Sequence, residues 1–269
     1  MDLYIVRLVF ISIVIPAYKQ EKTIVQDMER VWNVLSGTRF DFELIVVVDG
    51  MLDNTFEVAK SFKKDNVKVL GYKENMGKGF AVKYGMRRAQ GDYIAFIDAG
   101  MEIDPNGISM IMEHMLWYNA DIIVGSKRHP ASRVVYPRIR RVYSWGYYLL
   151  VRLLFQLKLT DTQTGLKLYK REVLEKALPR LVIKQYAFDI ELLAVAKYLG
   201  YTRIFEAPVT VSLDFGSGTR LRSRLFLLDN FVRGMLYDTL AVFYRMYFLR
   251  YYRDDNKENW LPEESNASQ

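Results

Sequence analysis

The sequence predicts an α/β fold in which a mainly parallel sheet is covered by helices on both faces. Short apolar runs of strand length alternate with segments of helical periodicity, at roughly 25-residue spacing, through the first half of the chain. The runs are continuously apolar, whereas a strand with one face in water shows a polar residue at every second position. Both faces of each strand are therefore expected to be buried.

Each predicted strand is an apolar run that ends at a turn-forming or charged residue. A proline closes the first run, Asp49-Gly50 follows the second, and the fourth ends on Asp98. The predicted strands are Phe10–Pro16, Phe42–Val48, Val67–Tyr72, Tyr93–Asp98 and Asp121–Ser126.

The segments between the strands carry helix signals. Apolar residues recur at helical spacing in Glu21–Leu35, and a Gly77-Lys78-Gly79 turn opens a later helix. Asp104 and Pro105 supply a cap and a first-turn proline before a helix that passes through Met115. A further helix is predicted over Thr55–Lys63.

The composition limits the classes of function. The chain has 269 residues, no cysteine, a net charge of +7 and a pI of about 9.3. The absence of cysteine excludes a disulfide framework and a thiolate metal site. The basic charge favours an anionic partner, and no nucleic-acid-binding motif is present, so a membrane surface or a phosphorylated substrate is favoured.

Two acidic residues follow the fourth strand. Asp98 ends it and Glu102 comes one short loop later. Ligands of open α/β sheets bind beyond the carboxyl ends of the strands, so both acids are placed for chemistry. A single aspartate there is also a common turn or cap residue, and Glu102 also fits a plain loop position.

Several short motifs follow one another along the chain in the same order as in a known protein family. They are Ser12–Tyr18, Val48-Asp49-Gly50 with Asp53, Asn75–Gly79, Gly91-Asp92 with Asp98, Gly125–Lys127, and Asp161–Lys167 followed by Ala187–Leu192. Over about residues 10 to 222 the chain resembles the inverting family-2 glycosyltransferases with the GT-A fold. Within that family it is most similar to the polyprenyl-phosphate sugar transferases, which include dolichyl-phosphate glucosyltransferases and mannose synthases.

The resemblance implies a nucleotide-sugar donor, UDP-glucose or GDP-mannose, and a divalent cation, Mg²⁺ or Mn²⁺. The metal would be held by Asp98 and Glu102. The residues that the resemblance assigns to the donor are Pro16, Ala17, Tyr18, Lys19, Glu21, Asp49, Lys78 and Asp98.

The chain departs from the family at this donor end. The second aspartate of the family's Asp-x-Asp motif is Gly100, the first aspartate of its Asp-Asp-Gly-Ser motif is Val48, and its Asn-Glu pair is Lys19-Gln20. Lys19 facing the diphosphate is one way to offset a lost cation contact.

The resemblance also implies an acceptor site for a polyprenyl phosphate. Lys127, Arg140 and Ser144 match groups that bind the lipid phosphate in relatives. Asp161, Gln163 and Lys167 match a loop beside the active site. Asp189 and Glu191 lie in a helix whose other residues are apolar, so both are expected to face the cleft.

Two apolar segments rich in aromatic and basic residues lie in the second half, at about 140–158 and 223–253. This combination of apolar, aromatic and basic residues is typical of helices that lie in the interface of a membrane. A helix pair packed on the core or on a second subunit is the alternative. The domain prediction is a GT-A catalytic domain over residues 1–222, an interfacial helix over 223–253 and a disordered polar tail over 254–269.

The resemblance implies transfer of glucose or mannose to a polyprenyl phosphate with inversion. The two apolar segments add the expectation of an enzyme held peripherally or monotopically at the cytoplasmic face of a membrane. Two alternatives remain. One is a family-2 transferase with another glycan acceptor. The other is a non-catalytic membrane-associated protein with a degenerate donor site.

Overall fold

The computed structural model describes residues 9–134, 138–185, 187–211 and 230–260, and the side chains of 138–144 and 230–231 lie outside the description. The strands are β1 (Phe10–Ala17), β2 (Asp41–Asp49), β3 (Val67–Tyr72), β4 (Tyr93–Ile97), β5 (Ile122–Ser126), β6 (Arg133–Val134), β7 (Leu166–Lys170), β8 (Ile204–Pro208) and β9 (Thr210–Val211). The α-helices are α1 (Ile24–Ser36), α2 (Thr55–Lys60), α3 (Lys78–Met86), α4 (Gly107–Trp117), α5 (Arg138–Phe155), α6 (Arg171–Ala177), α7 (Phe188–Tyr198) and α8 (Asn230–Tyr247).

Seven strands form one sheet in the order β3-β2-β1-β4-β7-β5-β8. Every neighbouring pair is parallel except those of β7, which runs antiparallel to both β4 and β5. Strands β6 and β9 pair separately. The predicted α/β fold with a mostly parallel sheet is confirmed, and β7 is an element that the sequence prediction missed.

Each face of the sheet carries its own apolar core. Val14, Val47 and Phe96 lie on one face with side chains of α3 and α7, and Ile13 and Val46 lie on the other with side chains of α1 and α4. These five side chains are fully buried. The continuous apolar runs in the sequence follow from this two-sided burial.

Helices α5 and α8 pack against each other. The rings of Phe155 and Phe243 have centroids 6.3 Å apart, and Tyr147 Oη lies 2.8 Å from Thr239 Oγ1. Among the described residues, no helix combines the length and the apolar character that crossing a bilayer requires.

The prediction of a disordered tail from residue 254 is wrong for residues 254–260. A 3₁₀ helix covers Asp254–Asn259, and Arg180 holds the segment from the domain side. Its Nε donates to the Tyr252 carbonyl at 3.0 Å, its guanidinium pairs with Asp254, and it lies 3.9 Å from the Trp260 ring centroid. The polar composition hid this contact because its anchor lies far upstream in the chain. Residues 261–269 lie outside the described part.

Candidate active site

A cavity of about 320 Å³ opens at the carboxyl ends of β1, β2 and β4. These strands pair in parallel, so the residues that follow them meet at one edge of the sheet. The lining residues are Pro16, Ala17, Tyr18, Gln20, Asp49, Asn75, Gly77, Lys78, Asp98, Ala99 and Gln185.

Asp49, at the end of β2, holds one wall of this cavity in place. Its carboxylate accepts hydrogen bonds from the backbone N–H groups of Met76 (2.7 Å) and Gly77 (3.0 Å), from Asn75 Nδ2 (3.1 Å) and from the Tyr72 hydroxyl (2.9 Å). Burial raises the pKa of Tyr72, and the hydrogen bond to Asp49 raises it further. A carboxylate offers about four acceptor positions, so Asp49 has little capacity left for a ligand and its main role is to shape the 75–77 loop.

Asp98, directly after β4, forms an ion pair with Lys78, the first residue of α3. Lys78 Nζ lies 2.8 Å from both carboxylate oxygens and donates a hydrogen bond to Oδ2. The other oxygen, Oδ1, is buried and has no hydrogen bond of good geometry. The side chains of Lys78 and Asp98 are 25% and 40% exposed, so a ligand in the cavity can reach the pair.

The loop before β7 comes close to the Asp98 side chain. The Asp98 N–H donates to the Gly165 carbonyl at 2.9 Å, and a Cβ at Gly165 would lie 2.1 Å from Asp98 Oδ2. No side chain larger than hydrogen fits at residue 165 while this carboxylate keeps its position.

Lys184 and Gln185 lie over the beginning of α3 and complete the cavity. The Phe80 N–H donates to the Lys184 carbonyl at 3.1 Å. Gly77 has a φ of +96°, and a Cβ there would lie 2.7 Å from the side chain of Gln185. The Gly-Lys-Gly turn therefore begins α3 and also lets the segment with Lys184 and Gln185 pack closely against Gly77.

A second group of residues surrounds the loop between α5 and β7. Glu206 on β8 accepts hydrogen bonds from the backbone N–H groups of Thr160 (2.8 Å) and Asp161 (2.9 Å). The Asp161 carboxylate in turn accepts from the backbone N–H of Lys127 at 3.0 Å and that of Gln163 at 3.2 Å. Asp161 thus joins the end of β5 to the loop, and Lys127 contributes through its backbone.

Gln163 connects this loop to α8, since its Nε2 lies 2.8 Å from the Met235 sulfur. The contact orients the side chain of a residue that the sequence predicted beside the active site. Of the other predicted acceptor residues, the side chains of Arg140 and Ser144 lie outside the described part.

Lys167 and Asp189 form a fully buried ion pair, with 2.8 Å between Nζ and Oδ1. Lys167 was expected in a loop, but it lies on β7 opposite Phe96 of β4, with Nζ 5.2 Å from that ring's centroid. Burial lowers the pKa of Lys167, and the Asp189 carboxylate opposes this shift. The expectation that Asp189 and Glu191 face the cleft is wrong. Asp189 turns to Lys167, Glu191 accepts hydrogen bonds from the Val182 and Ile183 N–H groups, and both carboxylates are buried.

The residues present do not form a two-carboxylate metal site. Asp49 is occupied by hydrogen-bond donors and Asp98 by Lys78, Gly100 has no side chain, and Glu102 is exposed and is not among the cavity-lining residues. No three His, Cys, Asp or Glu side chains in the described part of the chain come together as a metal site. The predicted pairing of Asp98 with Glu102 on a cation therefore has no support in this arrangement.

Six of the predicted donor residues line the cavity: Pro16, Ala17, Tyr18, Asp49, Lys78 and Asp98. Lys19 and Glu21 do not. Lys19 Nζ lies 5.3 Å from the ring centroid of Tyr18, and Glu21 accepts a hydrogen bond from the Asn54 N–H at 3.1 Å.

Five lining residues were not predicted: Gln20, Asn75, Gly77, Ala99 and Gln185. The first four lie inside or beside the quoted motifs, so their positions carried a signal. No motif in the sequence marked Gln185, because it reaches the cavity through tertiary packing over α3.

Comparison with known proteins identifies the family. Residues 12–178 match the family described as Glycosyl transferase family 2. The chain is 31% identical to a dolichyl-phosphate beta-glucosyltransferase of Dictyostelium discoideum over 71% of its own length and 63% of that protein's. For the proteins of the same name from Drosophila melanogaster and Homo sapiens the identities are 32% and 30%, over 70% and 78% of this chain and 63% and 69% of theirs. The chain thus spans less than two thirds of the first two relatives.

Solved structures confirm the fold. Glucosyl-3-phosphoglycerate synthase from Mycobacterium tuberculosis, crystallised with Mn²⁺, uridine diphosphate and phosphoglyceric acid, superposes with a TM-score of 0.63 at 20% identity. The superposition covers 87% of this chain and 78% of that one. The same synthase was also crystallised with Mg²⁺ and uridine diphosphate. Because the family match spans more than half of its residues, and its fold agrees with that of the solved structures, this chain belongs to glycosyl transferase family 2.

Proposed function

We propose that the protein transfers glucose from UDP-glucose to a dolichyl-type polyprenyl phosphate. The observation that carries the proposal is the charged cavity built around Asp98, in a chain about 30% identical to proteins named dolichyl-phosphate beta-glucosyltransferase. The uridine diphosphate in the crystallised structural neighbours supports the choice of nucleotide. GDP-mannose is the competing donor.

The reaction needs no general base in the protein. A phosphate oxygen of the acceptor, already anionic near neutral pH, attacks the anomeric carbon of glucose. The bond from that carbon to the diphosphate breaks, and its electron pair leaves with the nucleoside diphosphate. Attack opposite the leaving group turns an α-linked donor into a β-linked product, in keeping with the names of the relatives. The protein's contribution is to position the reactants and to stabilise the negative charge of the leaving group.

The two groups of residues suit the two reactants. Lys78 and Asp98 lie at the cavity, where the donor diphosphate is proposed to bind. Asp161 lies in the loop that also carries Gln163 and leads into β7, and Gly165 of the same loop contacts Asp98. The acceptor phosphate is proposed to approach from this loop, so that it meets the anomeric carbon beside Asp98.

We place the lipid part of the acceptor against helices α5 and α8. Both helices bury one side and expose apolar side chains on the other. The exposed side chains are Trp145, Leu149 and Leu153 on α5, Tyr237, Leu240 and Tyr244 on α8, and Phe248 just after it; together they are called the aromatic face. A membrane surface that carries the polyprenyl chain matches this chemistry and the basic charge of the chain. The cytoplasmic face expected from the sequence stays a prediction.

Transfer of labelled sugar tests the proposal. The full chain is incubated with labelled UDP-glucose or GDP-mannose and vesicles containing polyprenyl phosphate, and the label in the lipid extract is counted. Label is expected in lipid from UDP-glucose, and Asp161→Asn is expected to reduce it because this loop is proposed to position the acceptor. Exposed Asp65→Asn is the matched control.

Two results would contradict the proposal. Label from GDP-mannose alone would reassign the donor. No label from either donor, with the protein folded, would favour the non-catalytic alternative suggested by Gly100 and Val48.

A further inference from the structure

The feature that carries a further inference is the ion pair between Lys78 and Asp98 in the cavity. A nucleoside diphosphate that departs in a transfer reaction develops negative charge, and the site needs a positive group there. The comparison proteins were crystallised with Mn²⁺ or Mg²⁺ together with uridine diphosphate. In this chain the positive group beside Asp98 is an ammonium.

The oxygens of both carboxylates that line the cavity, Asp49 and Asp98, are already engaged by other groups of the chain, so neither is available to a metal ion. Asp49 accepts four hydrogen bonds from the loop and strand beside it. Asp98 has the Lys78 ammonium at 2.8 Å from both of its oxygens. A divalent cation beside Asp98 would have to displace that ammonium, at a cost in charge repulsion and in the lost ion pair.

The loop after Asp98 is also not arranged as a ligand loop. Gly100 has a φ of +84°, and a Cβ built there meets no atom within 4 Å, so the place of a second carboxylate is open space. The Gly100 N–H donates to Asp27 Oδ2 at 2.8 Å. Met101, at a φ of +46°, is buried, and Glu102 is exposed. The loop is shaped by Asp27 and by Met101.

Lys78 is well placed to neutralise the negative charge of a diphosphate in the cavity. Its side chain is partly exposed at the cavity, and Nζ lies 5.5 Å from the Phe96 ring centroid and in contact with Asp98. Asp98 therefore fixes the direction of the ammonium.

We propose that Lys78, oriented by Asp98, takes the place of a divalent cation in neutralising the donor diphosphate, so that this chain binds nucleoside diphosphates without metal. The inference rests on the proposed donor class. It makes Lys78 the binding residue for the diphosphate and Asp98 its positioning residue.

Calorimetric titration of the full chain with UDP, in EDTA and in Mn²⁺, tests this. Wild type is expected to bind UDP equally well under both conditions. Lys78→Met keeps the length of the side chain and removes the charge; it is expected to weaken UDP binding in EDTA by about 10- to 100-fold, the usual effect of losing a hydrogen bond from a charged group.

A metal-dependent gain is expected in the same variant. With Lys78 absent, Asp98 is open to a cation, so Mn²⁺ is expected to recover part of the UDP affinity of Lys78→Met. Lys78→Arg keeps the charge and is expected to bind UDP in EDTA within a few-fold of wild type. Lys64→Met, which alters an exposed lysine over the Trp32 ring, is the matched control, and thermal unfolding verifies that all variants are folded.

The outcomes separate the two proposals. UDP binding by wild type that disappears in EDTA overturns the role of Lys78 and leaves the transferase proposal intact. Unchanged UDP binding by folded Lys78→Met in EDTA also overturns it. If UDP binds under neither condition, the proposed donor and this inference both fail.

Discussion

At the scale of single residues, Gly165 is the described glycine at which an added Cβ would come nearest to another atom. A Cβ at this residue would meet the Asp98 carboxylate at 2.1 Å, so Gly165→Ala must shift either that carboxylate or the loop that carries residue 165. A displacement of about 1 Å in a positioned group can cost on the order of 100-fold in rate, and we expect a loss of this size in sugar transfer.

The control for Gly165→Ala is Gly200→Ala, where a Cβ meets no atom within 4 Å although φ is positive. That variant is expected to lose stability through backbone strain but to keep the rate of the folded enzyme. Transfer by Gly165→Ala at the wild-type rate would show that Asp98 does not act from its present position.

Lys83 on α3 gives a prediction in pH. Burial lowers the pKa of its ammonium from 10.5 to about 8, although Nζ donates to the Leu181 carbonyl at 2.7 Å. The unfolded chain therefore binds more protons than the folded one between pH 8 and 10.5, and Lys83 contributes an unfolding free energy that rises with pH in this window.

Denaturant unfolding at about pH 8 and about pH 9.5, both within this window, measures this contribution. The gain in stability from the lower to the higher pH is expected to be smaller in Lys83→Met than in wild type. Lys64→Met is expected to keep the wild-type gain. An equal gain in Lys83→Met would mean that another group titrates in this range.

At the scale of elements, Glu191 joins three parts of the chain. This fully buried residue of α7 accepts hydrogen bonds from the backbone N–H groups of Val182 and Ile183 at 3.0 and 2.8 Å, and from the Tyr252 hydroxyl at 2.7 Å. Arg245 of α8 lies 3.4 Å from it. Burial raises the pKa of Glu191, and these hydrogen bonds oppose the shift.

Glu191→Ala leaves these donors without an acceptor in the interior. Loss of one partner from a buried, charged network typically destabilises by about 3–5 kcal/mol, and we expect an effect of this size in chemical denaturation. Glu175→Ala, on the exposed surface of α6, is the control and is expected to change stability by less than about 0.5 kcal/mol. Near-equal stabilities would show that the network does not hold α8 to α7.

Elements and residues differ in how far the sequence predicts them. The first five strands were predictable because two-sided burial makes them continuously apolar, and Asp98 because acids at strand ends meet at one edge. Strand β7 was missed because Lys167 and Lys170 interrupt it, and a lysine that is buried beside Asp189 looks in sequence like a loop residue. The sequence does not predict Gln185, because only the packing of Lys184 and Gln185 over α3 brings it to the cavity.

At the scale of the whole molecule, the aromatic face brings exposed large apolar side chains of α5 and α8 to the surface. Leu153 and Phe248 are 78% and 68% exposed. Burying a large apolar side chain is worth about 1.5–3 kcal/mol, so Leu153→Glu combined with Phe248→Glu is expected to weaken vesicle binding at least about 10-fold. Co-sedimentation with vesicles of anionic and neutral lipid measures the effect.

Trp117→Glu is the matched control, because Trp117 is 86% exposed but lies on α4, outside the aromatic face. It is expected to leave vesicle binding unchanged. UDP binding is expected to be normal in all these variants, since none lines the cavity. Equal loss of vesicle binding from Trp117→Glu would mean that exposed apolar residues act without regard to place.

The position of β7 in the sheet also sets an order of events during synthesis on the ribosome. Among the described strands, β5 pairs only with β7 and β8, which both follow it in the chain, whereas β2 emerges when β1 is already made. The apolar strand β5 and the edge of β4 therefore leave the exit tunnel without their neighbour. Until residues 166–170 emerge, the nascent protein exposes unpaired strand edges of the kind that aggregate. We expect a chaperone that binds the nascent chain to act during this interval.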